Sequence, residues 1–187
     1  CMKKAPSDPH VFVTPTNTPY HKLLAKIGDD VDEKRVLNTP VGLAIDSNGN
    51  IFAHNYIMSK EHTVVKFNKH GEYIDAWSYT TTVSTWDLFL AVDSSGNVYA
   101  NSRRECLIAK LDNNLNLLET WEDCSQWNTE AETMKTGIHY RDGVGLLISD
   151  YGNNSIKRFS TTGQYLSGFS LIAGEAMIRG FDITTDD

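Results

Sequence analysis

The chain has 187 residues, enough for one domain with a hydrophobic core, and 40% of them are hydrophobic and 22% charged. This composition is that of a globular protein, and no apolar run approaches the roughly 20 residues that a membrane-spanning helix needs. The formal net charge of -7 argues against nucleic acid as the main partner, because phosphate recognition needs a basic surface.

The first residues, CMKKAPSDP (1–9), are polar and predict a tether. Cys1 is a candidate for lipidation, because a mature bacterial lipoprotein begins with the cysteine that carries the lipid. A trimmed chain that happens to begin with cysteine is the alternative. The next apolar segments, HVFVT and YHKLLAKIG, have the pattern of the last two strands of a repeat unit, so residues 10–37 are predicted to form a partial unit and its connection.

Two segments further along the chain repeat one another. PVGLAIDSNGNIFA (40–53) and DLFLAVDSSGNVYA (87–100) each consist of an apolar strand ending in Asp, a turn and a second strand. Gly49 and Gly96 supply the positive φ that such a turn needs. Two more short segments with apolar residues at period two follow in each copy, so each unit is predicted to have four strands.

A third copy follows, and the spacing supports the alignment. Asp46 and Asp93 are 47 residues apart, and a period of 40–50 residues with four strands is typical of β-propeller blades. We therefore predict an all-β propeller of four-stranded antiparallel blades that is either incomplete or completed by another chain. The predicted blades are 38–83, 84–136 and 137–174, and 175–187 is the first strand of a further blade. The connection 123–135 is the one segment predicted as a short helix.

These motifs resemble the NHL repeat family. The matching residues are Pro40, Gly42, Asp46, Gly49, Asn50 and Phe52 in the first half of the pattern, and Asp150, Gly152, Asn153, Asn154, Ile156, Phe159 and Gly163 in the second half. The resemblance extends from about residue 38 to 182. It implies a propeller of about six blades, of the kind found in bacterial propeller lipoproteins, and a role as a binding scaffold.

The candidate binding face carries the loops between the second and third strands of the blades. The sequence alignment makes His54, Asn101 and Asp150 equivalent, and arginine next to them binds carboxylates in a bidentate manner. The candidate binding residues are His54, Asn55, Tyr56, Asn101, Arg103, Arg104, Asp150 and Asn153. The alternative is structural, because in the ordinary repeat the aspartate at this position caps the loop by accepting backbone N–H bonds.

Motifs of common enzymes are missing from the sequence: it has no G-x-S-x-G, H-E-x-x-H, phosphate-binding loop or C-x-x-C. No catalytic residue, metal ligand or cofactor is predicted. The favoured function is a scaffold that binds a protein, peptide or carbohydrate. One alternative is a propeller enzyme, similar to lactonases or amidating lyases, with a divalent metal in the central channel. The other is a structural subunit that associates through open blade edges.

Two of the cysteines indicate the cellular compartment in which the protein is expected. A disulfide between Cys106 and Cys124 is expected, which implies an oxidising, extracytoplasmic location: secreted, periplasmic or lipid-anchored, with the membrane reached only through a lipid on Cys1. An ideal β-hairpin places residue 106 opposite 121, so the bridge requires a bulge or a turn of the chain after Trp121.

Asn153 begins the sequon NNS, a glycosylation site in a eukaryotic secretory context. Trp127, in a connection, is a candidate for an exposed residue.

Overall fold

The computed structural model describes residues 37, 39–56, 61–80, 88–102, 106–122, 125, 127 and 135–170. Within these ranges the chain forms three four-stranded antiparallel sheets and no α-helix. The all-β prediction is confirmed, and the protein is a partial β-propeller in which each sheet is one blade. None of the described segments is a helix long and apolar enough to cross a membrane.

Each blade is a meander in which consecutive strands are neighbours. The first blade consists of β1 (Pro40–Ile45), β2 (Ile51–Tyr56), β3 (Glu61–Phe67) and β4 (Tyr73–Thr80). The second consists of β5 (Leu88–Val92), β6 (Val98–Ser102), β7 (Ile108–Leu111) and β8 (Leu117–Trp121). The third consists of β9 (Lys135–Arg141), β10 (Gly145–Asp150), β11 (Ser155–Phe159) and β12 (Tyr165–Ser170).

The blade boundaries can be compared with the predicted ones. Strand β9 begins at Lys135, two residues before the predicted start of the third blade. The predicted tether, both partial blades apart from Leu37, and nearly all of the connection expected to hold a short helix lie outside the described residues.

The core lies between the blades, because each strand has one face toward each neighbouring blade. In β6, Val98 and Ala100 pack with Phe52 of the first blade, whereas Tyr99 between them packs with Leu146 of the third blade. All five residues of β6 are therefore buried. The first strands of neighbouring blades are also in contact, β1 with β5 and β5 with β9, which places these three strands nearest the propeller axis.

Three of the tryptophans lie at these interfaces. Trp77 packs against the cluster between the first two blades, and Trp121 against the cluster between the second and third. The expectation of an exposed Trp127 was wrong: its ring is buried and stacks on Phe159 with the ring centroids 5.6 Å apart. Trp127 is buried because it packs in the cluster between the second and third blades.

The turns that follow β1, β5 and β7 share one hydrogen-bond pattern. Asp46, Asp93 and Asp112 each accept, through Oδ1, the backbone N–H groups two and four residues later, at 2.8–2.9 Å. Their Oδ2 atoms accept the side-chain amide of the asparagine four residues later. The repeated Asp–Asn pair of the sequence is therefore a turn device that fixes where each strand ends.

A lysine on the third strand ties each of the first two blades to the next one. Lys66 donates to the backbone carbonyl of Asn113 in the second blade at 2.5 Å. Lys110 donates to the carbonyl of Thr161 in the third blade at 2.8 Å, in the equivalent turn. Asn113 also donates to Asp46 at 2.9 Å. These charge-assisted bonds fix the angle between neighbouring blades, because the two carbonyls that accept them lie in tight turns.

Cys106 is disulfide-bonded, and its predicted partner, Cys124, lies outside the described residues. The β7–β8 register differs from the ideal hairpin, since Ile108 lies opposite Trp121 and a bulge follows at Leu111. The observed register is two residues away from the expected one, and the pairing of Cys106 with Cys124 stays a prediction.

We expect thiol counting under denaturing, non-reducing conditions to find Cys1 as the one free thiol, or none if Cys1 carries a lipid. Reduction should then lower the free energy of unfolding by about 3 kcal/mol, because a short loop is released in the unfolded chain. Peptide mapping identifies the pair. Three free thiols, or two with a lipidated Cys1, would show that the Cys106–Cys124 bond is absent.

Candidate functional site

The predicted binding residues of the first blade lie in a strand, not in a loop. His54 and Asn55 are part of β2 and both are buried. The Nδ1 atom of His54 accepts the backbone N–H of Leu88 at 3.1 Å, and the side chain of Asn55 accepts the N–H of Thr39 at 3.3 Å. His54 thus joins the first and second blades, and the prediction that places it on an open loop has to be corrected.

The predicted equivalence of His54, Asn101 and Asp150 is also wrong. One residue pair between the first two strands of each blade aligns the three blades. These pairs are Ile45 with Ile51, Val92 with Val98, and Tyr140 with Leu146. Counted from these pairs, His54 and Asn101 are equivalent to Ser149, one residue before Asp150. Successive residues of a strand point to opposite faces, so Asp150 does not point in the same direction as the other two.

Asp150 and Asn101 are both buried, but their side chains differ in their hydrogen bonds. Asp150 pairs with Lys157 at 2.7 Å and accepts the backbone N–H and side-chain amide of Asn153 at 3.2 and 2.6 Å, which is the loop-capping role of the alternative prediction. The fully buried amide of Asn101 has no hydrogen-bond partner among the residues that the structure describes. Arg103, Arg104 and the side chain of Tyr56 lie outside the described residues, so this part of the predicted site stays a prediction.

A different site lies near the axis, at the ends of the three innermost strands. The turns after β1 and β5 and the end of β9 enclose a cleft of about 410 Å³, which we call the axial cleft. Its lining residues are Ile45, Asp46, Ser47, Val92, Asp93, Ser94, His139, Tyr140, Arg141 and Asp142. Because equivalent turns meet at one end of the propeller, side chains that are far apart in the sequence converge there.

Three side chains from two blades form a hydrogen-bonded network at the mouth of the axial cleft. Tyr140 and Ser94 donate to Oδ1 of Asp142 at 2.6 and 2.7 Å, and their hydroxyl oxygens are 3.2 Å apart. The hydrogen bond from Tyr140, followed by that from Ser94, lowers the pKa of Asp142, and the same bond to Asp142 raises the pKa of Tyr140. Asp142 is therefore ionised and Tyr140 protonated at neutral pH.

The other two carboxylates of the cleft belong to the turns. Burial acts to raise the pKa of Asp46, but the hydrogen bonds from Asn113, Asn50 and Asn48 outweigh it, so this pKa lies below its ordinary value. Asp93 accepts the hydroxyl of Tyr99 at 2.8 Å in addition to its turn bonds. Both oxygens of each carboxylate are thus occupied, and Asp46 and Asp93 contribute charge to the cleft rather than free acceptor atoms.

The groups available to a ligand are Oδ2 of Asp142, the hydroxyl of Ser47 and the guanidinium of Arg141. All three residues are exposed, and Arg141 has no ion pair within the part of the chain that the structure describes. In the third copy Arg141 stands where the first two copies have the turn aspartate, Asp46 or Asp93. This departure was the signal in the sequence that the turn after β9 carries exposed charges, those of Arg141 and Asp142.

A second groove continues from the axial cleft between β1, β5 and β9. This groove of about 300 Å³ shares Ile45, Val92, His139 and Tyr140 with the cleft and is otherwise lined by aliphatic residues such as Leu43 and Ile138. Among the residues described, no group of three or more His, Cys, Asp or Glu side chains is arranged to hold a metal ion.

No protein-family model matches the chain, and no curated protein matches its sequence. Solved structures of β-propeller proteins are similar to it. Virginiamycin B lyase from Staphylococcus aureus has a TM-score of 0.57 at 13% identity, over 80% of this chain and 46% of that chain. A protein from Lactobacillus plantarum has a TM-score of 0.58 at 16% identity, over 74% and 44%. A protein of unknown function from Bacteroides caccae has 0.53 at 11%, over 70% and 46%.

These similarities define the class of protein as a β-propeller. At such low identity they show the fold and carry no activity over to this chain. The chain spans less than half the length of these neighbours.

Proposed function

We propose that this chain is a β-propeller binding module with NHL-like repeats, which holds a peptide or carbohydrate in the axial cleft. The observation that carries the proposal is the network of Ser94, Tyr140 and Asp142, which fixes polar side chains of two blades at the mouth of a cavity of about 410 Å³. Ligand sites commonly combine such a concave shape with a few oriented polar groups. An extracytoplasmic location is part of the proposal and is supported by the disulfide at Cys106.

The test is to fill the cleft. Ser47 is exposed and lines the axial cleft, so Ser47→Trp should block it without disturbing the core. Glycan arrays and displayed peptide libraries would be probed with the wild-type protein and with this variant. We expect the variant to lose at least about tenfold in affinity for the compounds that the wild type binds, a change equal to about 1.4 kcal/mol.

Ser95→Trp is the matched control, because Ser95 is exposed in the turn after β5 but does not line the cleft. Both variants should keep the melting temperature of the wild type within a few degrees. Equal binding by the Ser47→Trp variant would reject the axial cleft as the site. A wild-type protein that binds nothing in either collection would reject the binding function.

A structural role is a second candidate, favoured by the outer strand of each blade. These strands expose pairs of apolar residues at equivalent positions: Tyr73 and Ile74, Leu117 and Leu118, Tyr165 and Leu166. Exposed apolar patches mark association surfaces. Sedimentation at increasing protein concentration separates the two roles, because a subunit of an assembly self-associates and a monomeric binding module does not.

A further inference from the structure

His54 is a titratable side chain at the interface between the first and second blades. It lies on β2 and is fully buried. Its Nδ1 atom accepts the backbone N–H of Leu88, the first residue of β5, at 3.1 Å. Because Nδ1 accepts this bond, the neutral ring carries its proton on Nε2. The bond between the blades therefore exists only while the imidazole is neutral.

The backbone around His54 leaves the ring little room to turn away from Leu88. A Cβ atom added to Gly42 on β1 would overlap the carbonyl oxygen of Leu88, so β1 and β5 approach each other closely here. The same atom would lie 3.4 Å from Cβ of His54. On β3, the fully buried Val64 lies opposite His54. A proton on Nδ1 would therefore face the N–H of Leu88, and two donors in contact cannot form a hydrogen bond.

The core into which His54 points is apolar, and its charged groups lie at the border. The buried residues of the cluster between these two blades are all hydrophobic. The charged or titratable side chains that face or border this core are Lys66 on β3, Asp75 and Tyr79 on β4, Asp46 after β1 and Asp112 after β7. Neighbouring titratable side chains outside the described ones are those of Tyr56, Lys60, Glu61, His62 and Asp87.

The bordering charges keep the other bonds between these blades in place when the pH falls. Lys66 and Asp46 are both bonded to Asn113 of the second blade. The pKa of Asp46 lies below its ordinary value, so its carboxylate stays ionised in mildly acidic solution. At the positions equivalent to His54, the second and third blades have Asn101 and Ser149, which gain no charge in this range.

We infer that His54 makes the contact between the first two blades sensitive to acid: protonation of its ring replaces an inter-blade hydrogen bond with a contact between two donors. The inference concerns this interface and does not depend on the proposed binding function. Because the folded state disfavours the proton, the full stability is present above about pH 6.5, the ordinary pKa of histidine in an unfolded chain. Stability is lost as the pH falls below that value.

Urea unfolding at a series of pH values tests the inference with the variant His54→Asn. Its side-chain oxygen can accept the N–H of Leu88, and it has no charge to gain. Between about pH 7.5 and 5, the ratio of folded to unfolded wild type should fall at least about tenfold more than that of the variant. His70→Asn is the matched control, because His70 is exposed in the turn after β3, and it should keep the pH dependence of the wild type. Equal pH dependence of the wild type and His54→Asn, or a smaller loss in the wild type, would overturn the inference.

NMR titration of the histidine rings in the wild type is the second measurement, and it needs no variant that folds. The ring of His54 should stay neutral, with its proton on Nε2, down to at least about pH 5.5. A ring of His54 that gains its second proton at or above about pH 6.5 in the folded protein would overturn the inference.

Discussion

Replacement of Asp93 by alanine is expected to lower the free energy of unfolding by about 4 kcal/mol, because a buried hydroxyl loses its partner together with the hydrogen bonds of the turn. Its Oδ1 accepts the N–H groups of Ser95 and Asn97 at 2.9 and 2.8 Å. Its Oδ2 accepts the amide of Asn97 and the hydroxyl of Tyr99, each at 2.8 Å. Tyr99 is fully buried between the second and third blades, so the variant leaves a buried hydroxyl without its partner.

Asp112→Ala is the matched control. Asp112 makes the same three turn bonds, but its turn is more exposed and no buried hydroxyl depends on it. Its loss should cost about 1 kcal/mol, the usual value for an exposed side chain that caps a turn. Urea unfolding of both variants gives the difference, and the double variant Asp93→Ala with Tyr99→Phe should regain part of the loss. Equal losses at the two positions would contradict the role of the buried hydroxyl.

The strands were predictable from the sequence because their signals are local. Alternating apolar residues mark each strand, and the Asp–Asn pairs with Gly49 and Gly96 mark each turn, so three copies of the pattern define three blades. The contacts between blades were not predictable in the same way. The bond from Lys66 to Asn113 joins residues 47 positions apart, and nothing in either local segment indicates the other.

The candidate site could not be predicted, for two physical reasons. The aspartate of the repeat motif in the third copy, Asp150, lies one residue after the position that corresponds to His54 and Asn101 in the strand register. An alignment by motif then places Asp150 one residue away from its structural position, and one residue is enough to reverse the face of a strand. The axial cleft, in contrast, is assembled from the ends of three separate strands, so its residues share no motif.

Gly163→Ala is expected to lower the free energy of unfolding by about 3 kcal/mol, through a left-handed backbone and overpacking combined. Gly163 has φ of +80° in the turn after β11, a conformation that alanine adopts at a cost. A Cβ atom added there would lie 2.6–2.7 Å from ring atoms of Trp121 on β8. The indole ring must then shift, which disturbs its packing on Tyr99, whose ring centroid lies 5.8 Å away, and on the turn of the third blade.

Gly143→Ala separates the two causes, because Gly143 has φ of +72° and no atom lies within 4 Å of an added Cβ. This control should cost about 1 kcal/mol, the backbone contribution alone. Trp121→Leu in the Gly163→Ala background should reduce the difference between the two glycine variants, since a smaller side chain leaves room for the methyl group. Urea unfolding measures all four proteins. If the two glycine substitutions cost the same, Trp121 does not pack tightly on the turn that holds Gly163, and the predicted overpacking is absent.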